Sequence, residues 1–236
     1  MIEIEKNLDK FITLFKVIGN LSPETNITFK KDGISIRAIH PSNTCLIKLT
    51  MNSTMFEKYE MADEKTYSVD IEKLVSIMNI VADKKITIDT TEKGLIMKQG
   101  RKKFMLSYFD AEEDTKPNPE IKTMSKWKID TIDFFDIINS YSIFDEVCTL
   151  EAKENLAIYS KSNLVNGEII VEAEKIESVD STGSYDAIIM NKITDIKQVF
   201  PKIRIGFSSD EPLIMRGTTD DIDFEYMLAG RVKETE

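Results

Sequence analysis

The chain reads as an α+β protein of two similar domains, each with β-sheets plus two helices, and three observations predict this. Four times an amphipathic helical segment precedes a β-hairpin of one pattern: ITFKKDGISIRA from Ile27, ITIDTTEKGLIMK from Ile86, LEAKENLAIYS from Leu150 and IRIGFSSDEPLIMR from Ile203. The halves also align, Tyr67 to Phe109 beside Tyr185 to Ala229 and Leu8 to Ala38 beside Ile132 to Ser160. One polar, proline-bearing stretch, Asp110 to Ser125, separates them and reads as a linker. The expected organisation is a domain over 1–109, a connector over 110–125 and a domain over 126–236. A repeated unit of this kind builds a scaffold.

The first helix is expected over Leu8 to Leu21, with Leu8, Phe11, Ile12, Phe15 and Ile18 on one face and Lys10, Thr13, Lys16 and Asn20 on the other. Ser22-Pro23 ends it. The second opens at Asp70 as N-cap, turning Leu74, Ile77, Met78 and Val81 inward and Lys73, Ser76 and Asp83 outward. The third runs from Asp130, with Phe134, Phe135, Ile137, Ile138 and Tyr141 apolar. The fourth is placed near Asn191, burying Ile193, Ile196, Val199 and Phe200 and exposing Lys192, Asp195 and Gln198, until Pro201 stops it. Turns are expected at Lys31-Asp32-Gly33, Glu92-Lys93-Gly94 and Asn166-Gly167, where positive φ costs little.

An apolar fraction of 42% with both charge signs abundant fits a soluble globular chain, and no apolar run approaches the ~20 residues of a membrane span. MIEIEKNLDKF has no basic flank or apolar core, so no secretory signal is expected. Cys45 and Cys148 lie in apolar strand-like runs and read as buried structural thiols, with a disulfide as the other reading, and an intracellular compartment follows. Two distant cysteines and the single His40 offer no zinc cluster, so neither metal nor cofactor is expected. A net charge of −10 argues against a generic nucleic-acid coat, because duplex affinity comes mainly from Lys and Arg on phosphates, and leaves room for a locally basic surface.

The sequence holds no phosphate-cradling glycine loop and no triad-like setting for His40, which reads as an ordinary surface histidine. Acidic runs at Asp110 to Asp114 and at Asp220, Asp221 and Asp223 read as solvated faces, with a carboxylate-dependent enzyme as the remote alternative. The helices differ in charge. Lys6 to Asn20 and Asn191 to Lys202 each carry three lysines against one acid, Asp70 to Lys85 balances three against three, and Asp130 to Glu146 has five acids and no base.

Three segments in order, DGISIRAIHPSN (Asp32 to Asn43), SSDEPLIM (Ser208 to Met215) and FEYMLAGRVKE (Phe224 to Glu234), resemble those of the sliding-clamp family of proliferating cell nuclear antigen, with the archaeal type most similar. The resemblance extends over the two-half organisation and the central linker. It implies a non-enzymatic processivity factor, a trimeric ring that encircles double-stranded DNA without reading its sequence. DNA polymerase, a clamp loader and other replication and repair proteins would bind it through short peptide motifs. The compartment would be the cytoplasm or nucleoid in an archaeon and the nucleus in a eukaryote. The helices would line the hole. Twelve helices about 10 Å apart leave a hole of about 28 Å, whereas eight leave about 15 Å, less than the ~16 Å summed depth of the two DNA grooves.

Carried over by position, the resemblance puts Lys10, Lys16, Lys73, Lys192 and Lys197 toward DNA. A partner-peptide pocket would involve Ile39, His40, Asn43, Leu46, Ile121, Pro212, Ala229, Gly230 and Arg231. Ring closure would join an edge strand of Lys103, Phe104, Met105, Leu106, Ser107, Tyr108 and Phe109 to one of Glu168, Ile169, Ile170, Val171 and Glu172 on the next subunit. The chain departs from the family pattern in Gly230, where Pro is usual, in His40, where an acid is usual, and in its acidic third helix. Uneven contact with DNA or membership of a heterotrimeric replication or checkpoint clamp would each account for that helix.

Overall fold

The computed structural model describes residues 1–81, 84–109, 119, 121–123, 125–161, 166–177, 179–209 and 211–231. Most of the expected connector, the acids from Asp110 to Asp114, and Asp83 therefore lie outside the described residues. The chain divides into two compact units. The first comprises Met1–Pro41, Ile47–Lys116 and Thr218–Phe224; the second comprises Ser42–Leu46, Pro117–Gly217 and Glu225–Glu236.

In chain order the elements begin with β1 (Ile2–Ile4), α1 (Leu8–Gly19), β2 (Glu24–Lys30), β3 (Gly33–Ile39), β4 (Cys45–Asn52), β5 (Lys58–Tyr59), β6 (Lys65–Asp70), α2 (Ile71–Val81), β7 (Ile86–Thr90), β8 (Gly94–Gln99) and β9 (Lys102–Ser107). They continue with β10 (Ser125–Asp130), α3 (Thr131–Ser142), β11 (Val147–Ala152), β12 (Leu156–Lys161), β13 (Asn166–Val171), β14 (Ala173–Glu177), β15 (Ser181–Asp186), α4 (Ala187–Asn191), β16 (Lys202–Phe207), β17 (Leu213–Thr218) and β18 (Ile222–Leu228). All four expected hairpins form, as β2–β3, β7–β8, β11–β12 and β16–β17.

In the first unit, one sheet has the order β5-β1-β7-β8-β9 and strands β4-β3-β2-β6 follow one another in a second. Helix α1 packs on α2. Leu8, Phe11, Leu14, Phe15, Val17 and Ile18 of α1 are all buried, and Phe11 meets Phe15 and Phe56 with ring centroids 4.7 and 5.9 Å apart. The apolar stripe is therefore wider than the period predicts. Leu14 and Val17 are fully enclosed while Ile12 is only half-buried. Gly33 has φ of 151°, and a Cβ there would run into the Met51 carbonyl oxygen, so this hairpin requires glycine.

The N-terminus of α1 has no side-chain cap from Asn7. Instead the Glu57 carboxylate accepts the N–H groups of Glu5 and Lys6, at 2.7 and 3.0 Å, and Asn7 Nδ2 donates to the Met55 carbonyl at 3.0 Å. Slight burial works to raise the Glu57 pKa, but the backbone donors of Lys6 and Glu5 prevail and hold it below the ordinary value.

In the second unit, the sheet order is β13-β12-β11-β15, and β14-β10-β16-β17 succeed one another in the other sheet. Asp130 caps α3 by accepting from Ile132 and Asp133, at 2.9 and 3.3 Å. Phe134, Phe135, Ile138 and Tyr141 point into a core that also holds Trp127, Tyr185 and Phe207. Cys45 and Cys148 are free and buried, and burial pushes the Cys148 thiol up to about 12.

Two expectations fail here. The fourth helix starts at Ala187, capped by Asp186, and ends at Asn191, followed by a 3-10 turn over Thr194–Gln198. The apolar spacing from Ile193 onward is real, since Ile193, Ile196, Val199 and Phe200 are all buried, but the cap lies earlier than the spacing suggests. Asn166-Gly167 is no turn. Both residues lie in β13, paired with Lys161 and Ser160, and neither has positive φ; among the described residues only Gly33, Gly100 and Asn43 do.

Candidate functional site

Three groups of surface residues are placed by these elements. The first is the exposed side of the helices. In the first unit Lys16 is exposed and Lys10 half-exposed on α1. Lys73 projects from α2 and pairs at 2.9 Å with Asp70, the same residue whose carboxylate accepts the Lys73 N–H and caps the helix. That bond, helped by the Asp70 charge, raises the Lys73 pKa, so the lysine stays cationic.

The second unit differs. Lys192 is half-exposed at the end of α4, and Lys197 sits 3.5 Å from Asp136 of α3. Asp133 and Asp136 are exposed. Four large apolar residues that the periodicity did not assign to a surface are exposed around these helices: Ile132, Ile143, Phe144 and Ile188, with Ile143 at 77%. Ile143 and Phe144 follow α3, where a helical period gives no guidance.

The second group contains the expected pocket residues. In the second unit, Ala229 N–H donates to the Thr44 carbonyl at 2.8 Å and Arg231 N–H to the Ser184 carbonyl at 2.7 Å. Arg231 Nη2 donates to Asp186 Oδ2 at 2.5 Å, while Oδ1 of the same carboxylate caps α4 through Ile189 N–H at 2.9 Å. Tyr185 Oη donates to the Glu211 carbonyl at 3.1 Å, next to Pro212. These bonds place the run Ala229-Gly230-Arg231 beside Ser184, Tyr185 and Glu211, where a Cβ on Gly230 would meet nothing nearer than 3.5 Å. Asn43 is exposed at φ of 57°, Leu46 is buried, and Ile121 is half-exposed. Ile39 and His40 belong to the first unit and are half-buried at the end of β3.

The third group is a pair of open sheet edges. Among the described residues, strand β9 pairs only with β8 at one end of its sheet, and β13 only with β12 at one end of its own. Each unpaired edge carries exposed apolar side chains, Met105 on β9 with Phe109 just beyond it, and Ile169 and Ile170 on β13, with Ile170 at 66%. Leu106 and Val171 instead face their own cores. Phe109 N–H is anchored to the Ser68 carbonyl at 2.9 Å, and Tyr108 stacks on Tyr67 with centroids 3.9 Å apart. A hollow of about 350 Å³ lies beside β13, lined by Glu151, Tyr159, Ser160, Asn166, Gly167 and Glu168. Long uncovered edges with apolar side chains are templates for another strand.

The profile of the proliferating cell nuclear antigen N-terminal domain matches residues 3–114. The chain is 24% identical over 239 residues to a DNA polymerase sliding clamp of Nitrosopumilus maritimus, covering 95% of this chain and 96% of that protein. It is 22% identical over 217 residues to DNA polymerase sliding clamp 2 of Saccharolobus solfataricus, covering 87% and 89%. Among solved structures, it superposes on a chain of the PCNA2–PCNA3 complex from Sulfolobus tokodaii with a TM-score of 0.85 at 21% identity. It superposes on the proliferating cellular nuclear antigen of Entamoeba histolytica with 0.89 at 16% identity. Each superposition covers 98% of both chains, so the fold is the DNA clamp fold.

Proposed function

The chain belongs to the proliferating cell nuclear antigen family of sliding clamps, and from that premise we propose that it encircles duplex DNA as one subunit of a trimeric ring and tethers DNA polymerase to it. The observation that carries the reading is the pair of open edges, β9 and β13, each with exposed apolar residues. Two different edges on one chain make a head-to-tail contact, and such a contact either closes into a ring or grows into a filament. With the four α-helices of the described residues in each chain, three copies supply the twelve that fit around duplex DNA.

Function then follows from topology instead of reaction chemistry. A closed ring stays on long DNA without gripping it, so a few cations suffice, and Lys10, Lys16, Lys73, Lys192 and Lys197 are the residues we assign to that contact. Low affinity per phosphate permits sliding. A polymerase held on the ring rebinds the primer end at high local concentration, which converts repeated encounters into processive synthesis. Partner peptides would seat on the surface of the second unit around Ala229, Gly230, Arg231, Pro212 and Ile121, with Asn43 and Leu46 completing the pocket. The protein would act inside the cell, with chromosomal DNA.

A second reading, one subunit of a mixed trimer, would account for the acids Asp133 and Asp136 and the apolar Ile132 on the exposed side of α3. Light scattering after size exclusion separates the two readings. A trimer of the chain alone, retained on nicked circular DNA and released when that DNA is linearised, is the expected result for a homotrimer. A chain that remains monomeric until related subunits are added identifies a mixed ring. A chain that is never retained on circular DNA, alone or mixed, refutes the clamp reading.

A further inference from the structure

The second unit carries a hollow of about 500 Å³ on the strands β14-β10-β16-β17, and none of its lining residues belongs to the pocket assigned above or to strands β9 and β13. Strand register builds it. Glu174, Lys128, Arg204 and Arg216 stand opposite one another across four strands, so three cations lie side by side in one row. In the next row Lys126 and Ile214 flank Gly206. Glycine leaves the floor low there, and Thr123 closes over it, since a Cβ on Gly206 would lie 2.8 Å from Thr123 Oγ1. The alternate residues Trp127, Ile129, Ile203 and Ile205 are buried, which turns the cation rows away from the core.

The outer cations are paired: Lys128 with Glu174 at 3.4 Å, Arg216 with Glu225 at 2.6 Å, and Lys126 with Glu177 at 2.6 Å. Arg204, in the middle, meets no carboxylate among the described residues and has a cation directly opposite on each side. Like charges in register destabilise a sheet, so an unneutralised centre is what an incoming anion would relieve. The hollow also has an apolar side, with Ile176 49% exposed beside it and Ile214 in its lining.

We propose that this hollow docks an extended acidic segment of a partner protein, with one carboxylate on Arg204 and a neighbouring apolar side chain over Gly206 between Ile176 and Ile214. Charge complementarity selects that occupant over nucleic acid. Lys126, Lys128, Arg204 and Arg216 against Glu174, Glu177 and Glu225 leave one net positive charge, enough for one carboxylate. A nucleic-acid strand brings a phosphate with every nucleotide and would meet three carboxylates here. Among the described residues the lining contains no aromatic ring on which a base could stack.

The test is fluorescence anisotropy on the full chain with a labelled peptide of alternating aspartate and leucine, a lysine–leucine peptide of the same length, and labelled oligothymidylate. The proposal expects saturable binding of the aspartate peptide, weakened about tenfold or more by Arg204→Glu, given the usual worth of hydrogen bonds to a charged group. It also expects a smaller loss with Ile176→Ala, an exposed position whose truncation leaves the core intact. Unchanged circular dichroism establishes that both variants are folded. Absence of saturable binding, equal affinity in Arg204→Glu, or equal binding of the lysine peptide overturns the proposal. Tighter binding of the oligonucleotide than of the aspartate peptide overturns it in favour of nucleic acid.

Discussion

Asp186 and Arg231 are joined through one oxygen of the carboxylate, Oδ2, while the other, Oδ1, caps α4. A single side chain therefore starts a helix and fixes the residue that follows Gly230.

Separating the two roles gives the first prediction. Asp186→Ala removes both and should destabilise the chain by about 1–2 kcal/mol, chiefly through the cap. Arg231→Ala should cost no more than about 0.5 kcal/mol, because the guanidinium is half-exposed and surface ion pairs contribute little. Urea unfolding measures both. Equal losses would mean that the cap contributes nothing.

Glu57 gives a pH prediction. Its folded pKa lies below the unfolded value, so its contribution is fully present above an unfolded value of about 4.3 and is lost as pH falls through the folded pKa. Glu57→Gln should lower stability at neutral pH by about 1 kcal/mol and flatten the acid limb of the stability profile. Parallel acid limbs for variant and parent would show that the carboxylate does not anchor the chain ahead of α1.

Two glycines should respond with opposite sign to alanine. Gly33→Ala forces positive φ on a residue with a Cβ and drives it into the Met51 carbonyl, so a loss above about 2 kcal/mol is expected. Gly230→Ala has room and no positive φ, and should be neutral or stabilise by about 0.5 kcal/mol. Thermal melts of the pair decide the matter.

The edge pairing predicts that Ile170→Lys, at a 66% exposed position, leaves the melting temperature of the isolated chain unchanged while lowering the oligomeric mass in solution. Met105→Lys should do the same from the other edge. A full-size oligomer in both variants would place the subunit contact elsewhere.

For DNA, Lys10→Glu combined with Lys16→Glu should reduce retention on nicked circles without unfolding the chain. The slope of log affinity against log salt should fall by about 0.9 for each phosphate that the variant no longer neutralises. Asp136→Asn should act in the opposite direction, since it frees Lys197 from the ion pair at 3.5 Å. No change in either variant would remove these helices from the DNA-facing surface.

Much of this fold is legible in the sequence because its signals are local. The hairpins follow from alternation broken by turn residues, and Asp70 and Asp130 mark their helices because a cap acts within one turn. The start of α4 is missed because Ala187, Ile188, Ile189 and Met190 form an unbroken apolar run, which helix and strand share. Lys73 can be placed on its helix from the sequence, but the pairing of Lys197 with Asp136 requires α3 and the turn after α4 to meet. The open edges and the cation row around Arg204 depend on which strands lie side by side, and spacing along the chain carries no record of that.

The Glu57 carboxylate that secures Glu5 and Lys6 is encoded 52 and 51 positions after them. During synthesis the amino-terminal segment must therefore wait, with water on its free N–H groups, until more than fifty further residues have left the ribosome. An isolated peptide of the first twenty residues should accordingly show little helicity, however amphipathic its sequence, because the carboxylate that organises its entry is absent.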